Sequence, residues 1–218
     1  MNQIFNILLV LHIIGGTLGI VCGTINIIRK KGDKPHKNVG KIFLYSMLVT
    51  GISSLILATM HPNNFLFIIG IFTIFLVGTG RRYLSLKGLG KGQKPLLIDW
   101  LLTVMMLVFG LFFIGFGLFS LTKNDNFGIV YLVFGATGLR YVWIDFYYYR
   151  GQKITTKNYW LIEHIGRTMA GYIASLTALL VVNSIYLPFI PNALLWLLPT
   201  IIFVPLIVYW SKKNKVKV

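Results

Sequence analysis

The sequence predicts an all-α fold, a polytopic membrane helix bundle with seven transmembrane helices. Three observations predict it. Hydrophobic residues make up 56% of the 218 residues and charged residues only 12%, the mean hydropathy is +0.76, and long apolar runs alternate with short basic connections. Because soluble domains carry about 25% charged residues, the composition excludes an ordinary soluble globular domain. We expect a single integral membrane domain over residues 1–218, with the lipid bilayer as its main partner.

Seven apolar segments are long enough to cross a bilayer, since a helix needs about 20 residues to span the hydrocarbon core. The connections between them are short, so no separate soluble domain is expected. The first segment lacks a basic start and is too long for the core of a signal peptide, which predicts an uncleaved first span. The predicted spans are 4–28, 40–60, 65–86, 95–121, 127–147, 159–186 and 190–210.

The basic residues predict the orientation of the bundle. The formal net charge is +16, from 21 Lys and Arg against five Asp and Glu. All of these cations except Lys123 lie in or beside alternate connections or after the last span. The positive-inside rule then places the N-terminus outside and the C-terminus in the cytoplasm. Because long apolar runs separate the cations, no nucleic-acid partner is expected, although such a charge would suggest one in a soluble protein.

The three basic connections resemble one another. Residues 31–35, 91–95 and 150–154 each begin with a cation and a glycine, at offsets of 60 and 59 residues. The approaches to the last two are also alike, since residues 79–83 and 137–141 share a Thr-Gly-x-Arg-Tyr pattern. One interpretation is a threefold duplication of a helical hairpin, followed by a closing seventh helix. The other is that basic turns between membrane helices tend to look alike.

The first span carries a histidine followed by glycines on one helical face. His12 lies 17 residues before Arg29, about 25 Å along a helix and therefore in the outer third of the bilayer. Gly16, Gly19 and Gly23 follow on the same face, where small residues admit a neighbouring helix or a flat ligand. The glycines favour helix packing, whereas a histidine inside the bilayer is costly and indicates a functional role.

A second polar group lies at the cytoplasmic side of spans five and six. Glu163 and Arg167 have the i, i+4 spacing of a helix ion pair, and His164 begins a face of small, weakly polar residues. Asp145 and Arg140 end span five at a similar level, and Asp99 opens span four. Together they predict a charged cluster at the inner mouth of the bundle. The alternative is an ion-pair network that only fixes helix ends.

Two further histidines lie near the ends of span two. His36 falls in the first basic connection, where we expect it to be solvated. His61 precedes Pro62 at the outer end of span two, where it is either an interfacial cap or a partner for His12 across the first hairpin.

The first hairpin resembles bacterial predicted multi-pass membrane proteins that are grouped as a domain of unknown function. The residues that carry the resemblance are His12, Gly15, Gly16, Leu18, Gly19 and Gly23, then Lys31, Gly32, His36, Gly40, Phe43 and Met47, with Glu163, His164, Arg167, Met169, Thr177 and Ala178 in span six. The resemblance implies a bacterial inner-membrane location and paired histidines. It implies no reaction.

Three functions stay open at this point. The first is a haem-binding or redox protein, in which buried histidines hold haem b beside the glycines. The second is a small-solute or proton-coupled transporter that uses Glu163 and His164 as proton carriers. The third is a non-catalytic scaffold or assembly factor that binds copies of itself or another membrane protein.

Other chemistry has little support in the sequence. A lone cysteine, Cys22, excludes a disulfide framework and a thiolate zinc site. The sequence also lacks an H-E-x-x-H motif, a nucleophile elbow and a dinucleotide-binding fingerprint. The small-molecule ligand, if there is one, stays unidentified.

Overall fold

A computed structural model describes residues 2–152 and 154–216 of the chain. It contains seven helices that are long and apolar enough to cross a membrane, which confirms the predicted all-α seven-helix bundle. Lys153 and Lys217, two of the counted cations, lie outside the described residues. The helices are α1 Asn2–Ile28, α2 Lys34–Met60, α3 Asn64–Tyr83, α4 Leu97–Thr122, α5 Gly128–Tyr149, α6 Tyr159–Val182 and α7 Asn192–Asn214.

The start of α2 differs most from the prediction, because the helix begins six residues before residue 40. Asp33 caps it by accepting a hydrogen bond from the His36 backbone N–H at 2.7 Å, and Pro35 lies in the first turn, where its missing N–H costs nothing. The expected position of His36 is therefore corrected. It lies in the first turn of α2 and is half-buried, instead of lying in a solvated loop.

Helices α3 and α6 form the centre of the bundle. Helix α3 is the most buried of the seven and packs against α2, α6, α4 and, at fewer positions, α5. Helix α6 packs against α3 and α7 and touches α1. Helices α1 and α7 lie outermost and expose apolar side chains such as Ile13 and Ile201. In a bilayer these side chains face lipid.

Glycines bring the backbones of α4 and α5 close together. A Cβ added to Gly117 would lie 2.9 Å from the Gly128 carbonyl oxygen, and a Cβ on Gly128 would lie 2.6 Å from the Gly117 carbonyl oxygen. Gly110, seven residues before Gly117 in α4, and Gly135, seven residues after Gly128 in α5, approach each other in a similar way. Lipid supplies no hydrophobic drive for helix association, so close packing through small residues is what joins such helices.

The basic connections and the end of α7 lie together at one end of the bundle, which we call the basic end. This grouping agrees with the alternation of basic segments along the sequence. The contacts that join them are Lys31 Nζ over the Trp210 ring at 4.7 Å, Lys87 Nζ over the Trp160 ring at 4.5 Å and the Lys157 N–H donating to the Val216 carbonyl at 2.8 Å.

The three similar connections share a backbone feature but not a helix packing. Gly32, Gly92 and Gly151 have φ values of +84°, +91° and +69°, a region that glycine adopts without steric cost. Helices α1 and α2 pack closely along their lengths, α3 and α4 do so much less, and α5 and α6 are not a closely packed pair in the described part of the chain. Both interpretations of the repeat stay open.

The cap of α2 predicts a local response to acid. The backbone N–H of His36, together with the Arg29 guanidinium at 3.2 Å, holds the pKa of the Asp33 carboxyl below its usual value. The stabilisation of α2 by this cap is therefore present above the ordinary aspartate pKa of about 3.9. It is lost as the pH falls through the lower pKa that Asp33 has in the folded protein. Hydrogen exchange of the first-turn amides, corrected for intrinsic rates, should show this loss. The same pH response in Asp33→Asn would contradict it.

Candidate functional site

A fully buried arginine lies between the central helices at the basic end. Arg167 is eight residues into α6, about 12 Å from the start of the helix, and its side chain has no exposed surface. It pairs with Asp145 of α5 through two bonds, from Nη2 at 2.7 Å and from Nη1 at 3.2 Å. Its Nε donates to Glu163, one turn earlier in α6, at 3.2 Å. Two carboxylates therefore share one arginine.

The rest of the guanidinium is also satisfied. Nη1 donates to the Thr79 hydroxyl at 3.0 Å and Nη2 to the Tyr141 carbonyl at 3.3 Å, so all five N–H donors of the group have acceptors. The guanidinium carbon lies 4.6 Å from the Tyr83 ring centroid and 4.8 Å from that of Tyr141, within cation–π range. This complete set of partners is what a charge buried in a membrane bundle requires.

Asp145 connects its own helix, α5, to the three helices α3, α4 and α6. Besides the arginine bonds, its carboxylate accepts from the Tyr83 hydroxyl of α3 at 2.6 Å and from the Thr103 hydroxyl of α4 at 3.0 Å. The side chain is fully buried. We call the whole set the Arg167 network, formed by Thr79, Tyr83, Thr103, Tyr141, Asp145, Glu163 and Arg167.

Glu163 is held much less firmly than Asp145. In the described part of the chain its carboxylate accepts one hydrogen bond, the 3.2 Å bond from Arg167, and 12% of its side chain is exposed. The Arg140 side chain is exposed and acts on Glu163 only through its charge at longer range. Glu163 is therefore the carboxylate that can exchange a proton without dismantling the buried pair.

A separate ion pair joins α3 to the start of α4. Arg82 donates to both oxygens of Asp99, from Nε at 2.7 Å and from Nη2 at 2.9 Å. Asp99 also accepts from the Leu96 backbone N–H at 2.8 Å, which caps α4. This pair fixes the second connection and lies outside the Arg167 network.

The structure brings together three of the six charged or titratable residues predicted for the inner cluster, namely Asp145, Glu163 and Arg167. Asp99 pairs with Arg82 instead. His164 follows Glu163 directly but faces α3, where its Nδ1 lies 2.9 Å from the Gly80 carbonyl oxygen. Arg140 lies outside the cluster with its guanidinium 5.5 Å from the Tyr141 ring centroid.

The histidines of the first hairpin lie apart. His12 Nδ1 lies 3.2 Å from the Thr50 carbonyl oxygen and within 3.4 Å of the Ser53 and Ser54 hydroxyls. His61 is exposed and packs against the Phe5 ring, with centroids 4.5 Å apart. Each histidine therefore has its own partners, and the first hairpin does not pair them.

The glycine face of α1 is filled by side chains of other helices. A Cβ on Gly19 would clash with Met47 Cε, and a Cβ on Gly23 would clash with Tyr172 Cδ2. Gly16 has more room, with Thr50 Cγ2 at 3.7 Å from such a Cβ. This arrangement supports the helix-packing interpretation of these glycines and does not fit a haem lying against them. Among the described residues, no group of three His, Cys, Asp or Glu side chains could hold a metal ion.

Sequence reasoning missed the members of the network that come from α3 and α4. Thr79, Tyr83 and Thr103 are ordinary polar residues in apolar spans, and nothing in their spacing points to Arg167. One signal was present, since Thr79, Tyr83 and Tyr141 belong to the repeated Thr-Gly-x-Arg-Tyr pattern. That pattern marks residues that converge on the buried arginine from two helices.

Comparison of the chain with protein-family models, with curated proteins and with solved structures gives no match in any of the three. The resemblance of the first hairpin to bacterial predicted membrane proteins therefore stays a prediction. What the protein does is inferred from the geometry of the Arg167 network.

Proposed function

We propose that the protein is a proton-coupled membrane transporter for a small solute, with Glu163 as its proton-binding group. The observation that carries this proposal is the sharing of one fully buried arginine by two unequal carboxylates, of which Glu163 is partly exposed. Ionisable groups inside membrane spans are costly and are retained chiefly on ion and substrate pathways.

The charges explain why Glu163 would bind a proton. With both carboxylates ionised, the buried cluster carries one positive and two negative charges, and burial penalises such an excess. A proton on Glu163 makes the cluster neutral, while Asp145 keeps its bonds to Arg167, Tyr83 and Thr103. The charged or titratable groups that surround Glu163 are Tyr83 of α3, Arg140, Tyr141, Asp145 and Tyr148 of α5, and Arg167 of α6.

Proton binding at this position would act on the contact between α5 and α6. Among the described residues the two helices are not closely packed, and Arg167 joins them through Asp145 and the Tyr141 carbonyl. A change in the attraction between Glu163 and Arg167 therefore biases how α6 sits against α5 and α3. A group with different proton affinity in two arrangements couples proton binding to the change between them.

We also propose the location predicted from the sequence. In a bacterial inner membrane with the N-terminus outside, the basic end faces the cytoplasm. Glu163 would then exchange its proton with the cytoplasmic side, because it lies within two turns of the start of α6.

The two alternative functions have weaker support. The haem-binding alternative requires space beside His12, and Met47 and Tyr172 fill the glycine face there. The scaffold alternative draws on the exposed apolar faces of α1 and α7, which the lipid bilayer would cover equally well.

Proton flux into liposomes tests the proposal. We expect vesicles containing the purified protein, given a mixture of small metabolites outside, to change internal pH faster than empty vesicles under an imposed potassium diffusion potential. Glu163→Gln should reduce the rate to that of empty vesicles, because glutamine cannot exchange a proton. Asp125→Asn, a matched carboxylate change in the exposed connection between α4 and α5, should leave the rate unchanged. Flux that persists in Glu163→Gln, or wild-type protein no faster than empty vesicles, would contradict the proposal.

A further inference from the structure

We propose that an acidic phospholipid binds the outward face of α5 at the basic end, with its phosphodiester at Arg150. The site is a cavity of about 150 Å³ that opens on this face. Its lining combines a cation and an amide with three aromatic rings, and none of the lining residues is acidic. They are Trp143, Phe146, Tyr147, Arg150 and Gln152.

The polar end of the cavity suits a phosphodiester. Arg150 directly follows α5 and is exposed, and its guanidinium lies over the Phe146 ring at 5.3 Å. This contact holds the cation beside the aromatic wall of the cavity. A guanidinium can donate two parallel hydrogen bonds to phosphate oxygens, and the Gln152 amide supplies a further donor at the same end.

The apolar end distinguishes a lipid from a free phosphate ion. Trp143 is 68% exposed, and its ring lies 6.1 Å from that of Tyr147, one turn further along α5. Exposed Trp and Tyr near the end of a membrane helix sit at the level of the lipid headgroups. Basic pockets at the charged side of membrane proteins recognise acidic headgroups in this way. A lipid would contact both ends of the cavity, whereas inorganic phosphate would contact only the polar end.

This inference does not depend on the proton-binding role of Glu163, since neither Glu163 nor Arg167 lines the cavity. Lipid binding and proton flux can therefore fail separately.

Native mass spectrometry of the full chain in detergent, titrated with phosphatidylglycerol, tests the site. We expect the most tightly bound phosphatidylglycerol molecule to bind at least about fivefold more strongly than phosphatidylcholine. Arg150→Gln should remove this difference in affinity. Lys94→Gln removes one exposed cation from the second connection at the same end and should leave the tightest binding unchanged. Equal losses in the two variants would overturn the proposal, because they would indicate general attraction to a basic surface.

A second variant and a competitor separate the remaining outcomes. Trp143→Ala should also weaken the tightest phosphatidylglycerol, while retaining the melting temperature of the wild type, because Trp143 packs outward. Inorganic phosphate should not displace the lipid. Displacement by phosphate, or unchanged lipid binding in Trp143→Ala, would show an anion site without lipid recognition and would overturn the proposal.

Discussion

Asp145→Leu is expected to lose about 3–5 kcal/mol of stability, because it leaves the buried Arg167 without its main counter-charge. Arg167 and Tyr83 lose an acceptor at the same time, and Thr103 keeps only the Asp99 carbonyl. Unfolding of the purified protein in mixed micelles, followed through its helical signal, measures the loss. The full-length variant should also yield less folded protein on expression.

A paired substitution is the control for this result. When both partners are replaced, as in Asp145→Leu combined with Arg167→Met, no uncompensated arginine remains, and apolar replacements of a buried pair are often tolerated. We expect the double variant to recover most of the lost stability, since Glu163 is partly exposed. A double variant as unstable as Asp145→Leu would contradict the assignment of Asp145 as the partner of Arg167.

Gly117→Ala is expected to destabilise the pairing of α4 and α5 by about 1–3 kcal/mol, the usual cost of overpacking. The added Cβ would lie 2.9 Å from the Gly128 carbonyl oxygen and 3.0 Å from the Leu132 side chain. A backbone carbonyl cannot rotate away as a side chain can, so the helices must separate. The same unfolding assay measures the effect.

Gly115→Ala is the matched control, two residues earlier in α4. A Cβ on Gly115 would meet nothing within 4 Å, and alanine favours a helix over glycine by about 1 kcal/mol. We expect Gly115→Ala to be neutral or slightly stabilising. Equal effects of the two substitutions would contradict the close approach of α4 and α5 at Gly117.

The number of helices and their approximate limits could be predicted because the bilayer imposes a length and a composition on each span. The start of α2 could not be predicted from hydropathy, since its first turns are basic. Asp33 sets that start by capping the helix, and Pro35 favours the first turn through its fixed backbone angle. Hydropathy measures neither effect.

The candidate site could be predicted only where its contacts are local in sequence. Glu163 and Arg167 are one turn apart in α6, so their ion pair follows from helix geometry. The position of Asp145 at the end of span five predicts that it lies at a level similar to that of Glu163. The contacts from Thr79 and Tyr83 depend on α3 packing against both α5 and α6 at this level, and no spacing in the chain expresses that arrangement.

The packing against the glycine face of α1 could likewise not be predicted from the sequence. The sequence shows that Gly19 and Gly23 leave space on one side of the helix, but not what enters it. Met47 and Tyr172 fill the space from α2 and α6, and their identities become clear only when the helices are packed.

Infrared spectroscopy of the purified protein tests most directly whether Glu163 binds a proton. The stretching band of protonated carboxyl groups should change with pH in the wild type, and the component contributed by Glu163 should be missing in Glu163→Gln but kept in Asp125→Asn, while the other carboxyls contribute their own components in both variants. A pH-dependent carboxyl band in Glu163→Gln that is identical to that of the wild type would contradict the proton-binding role.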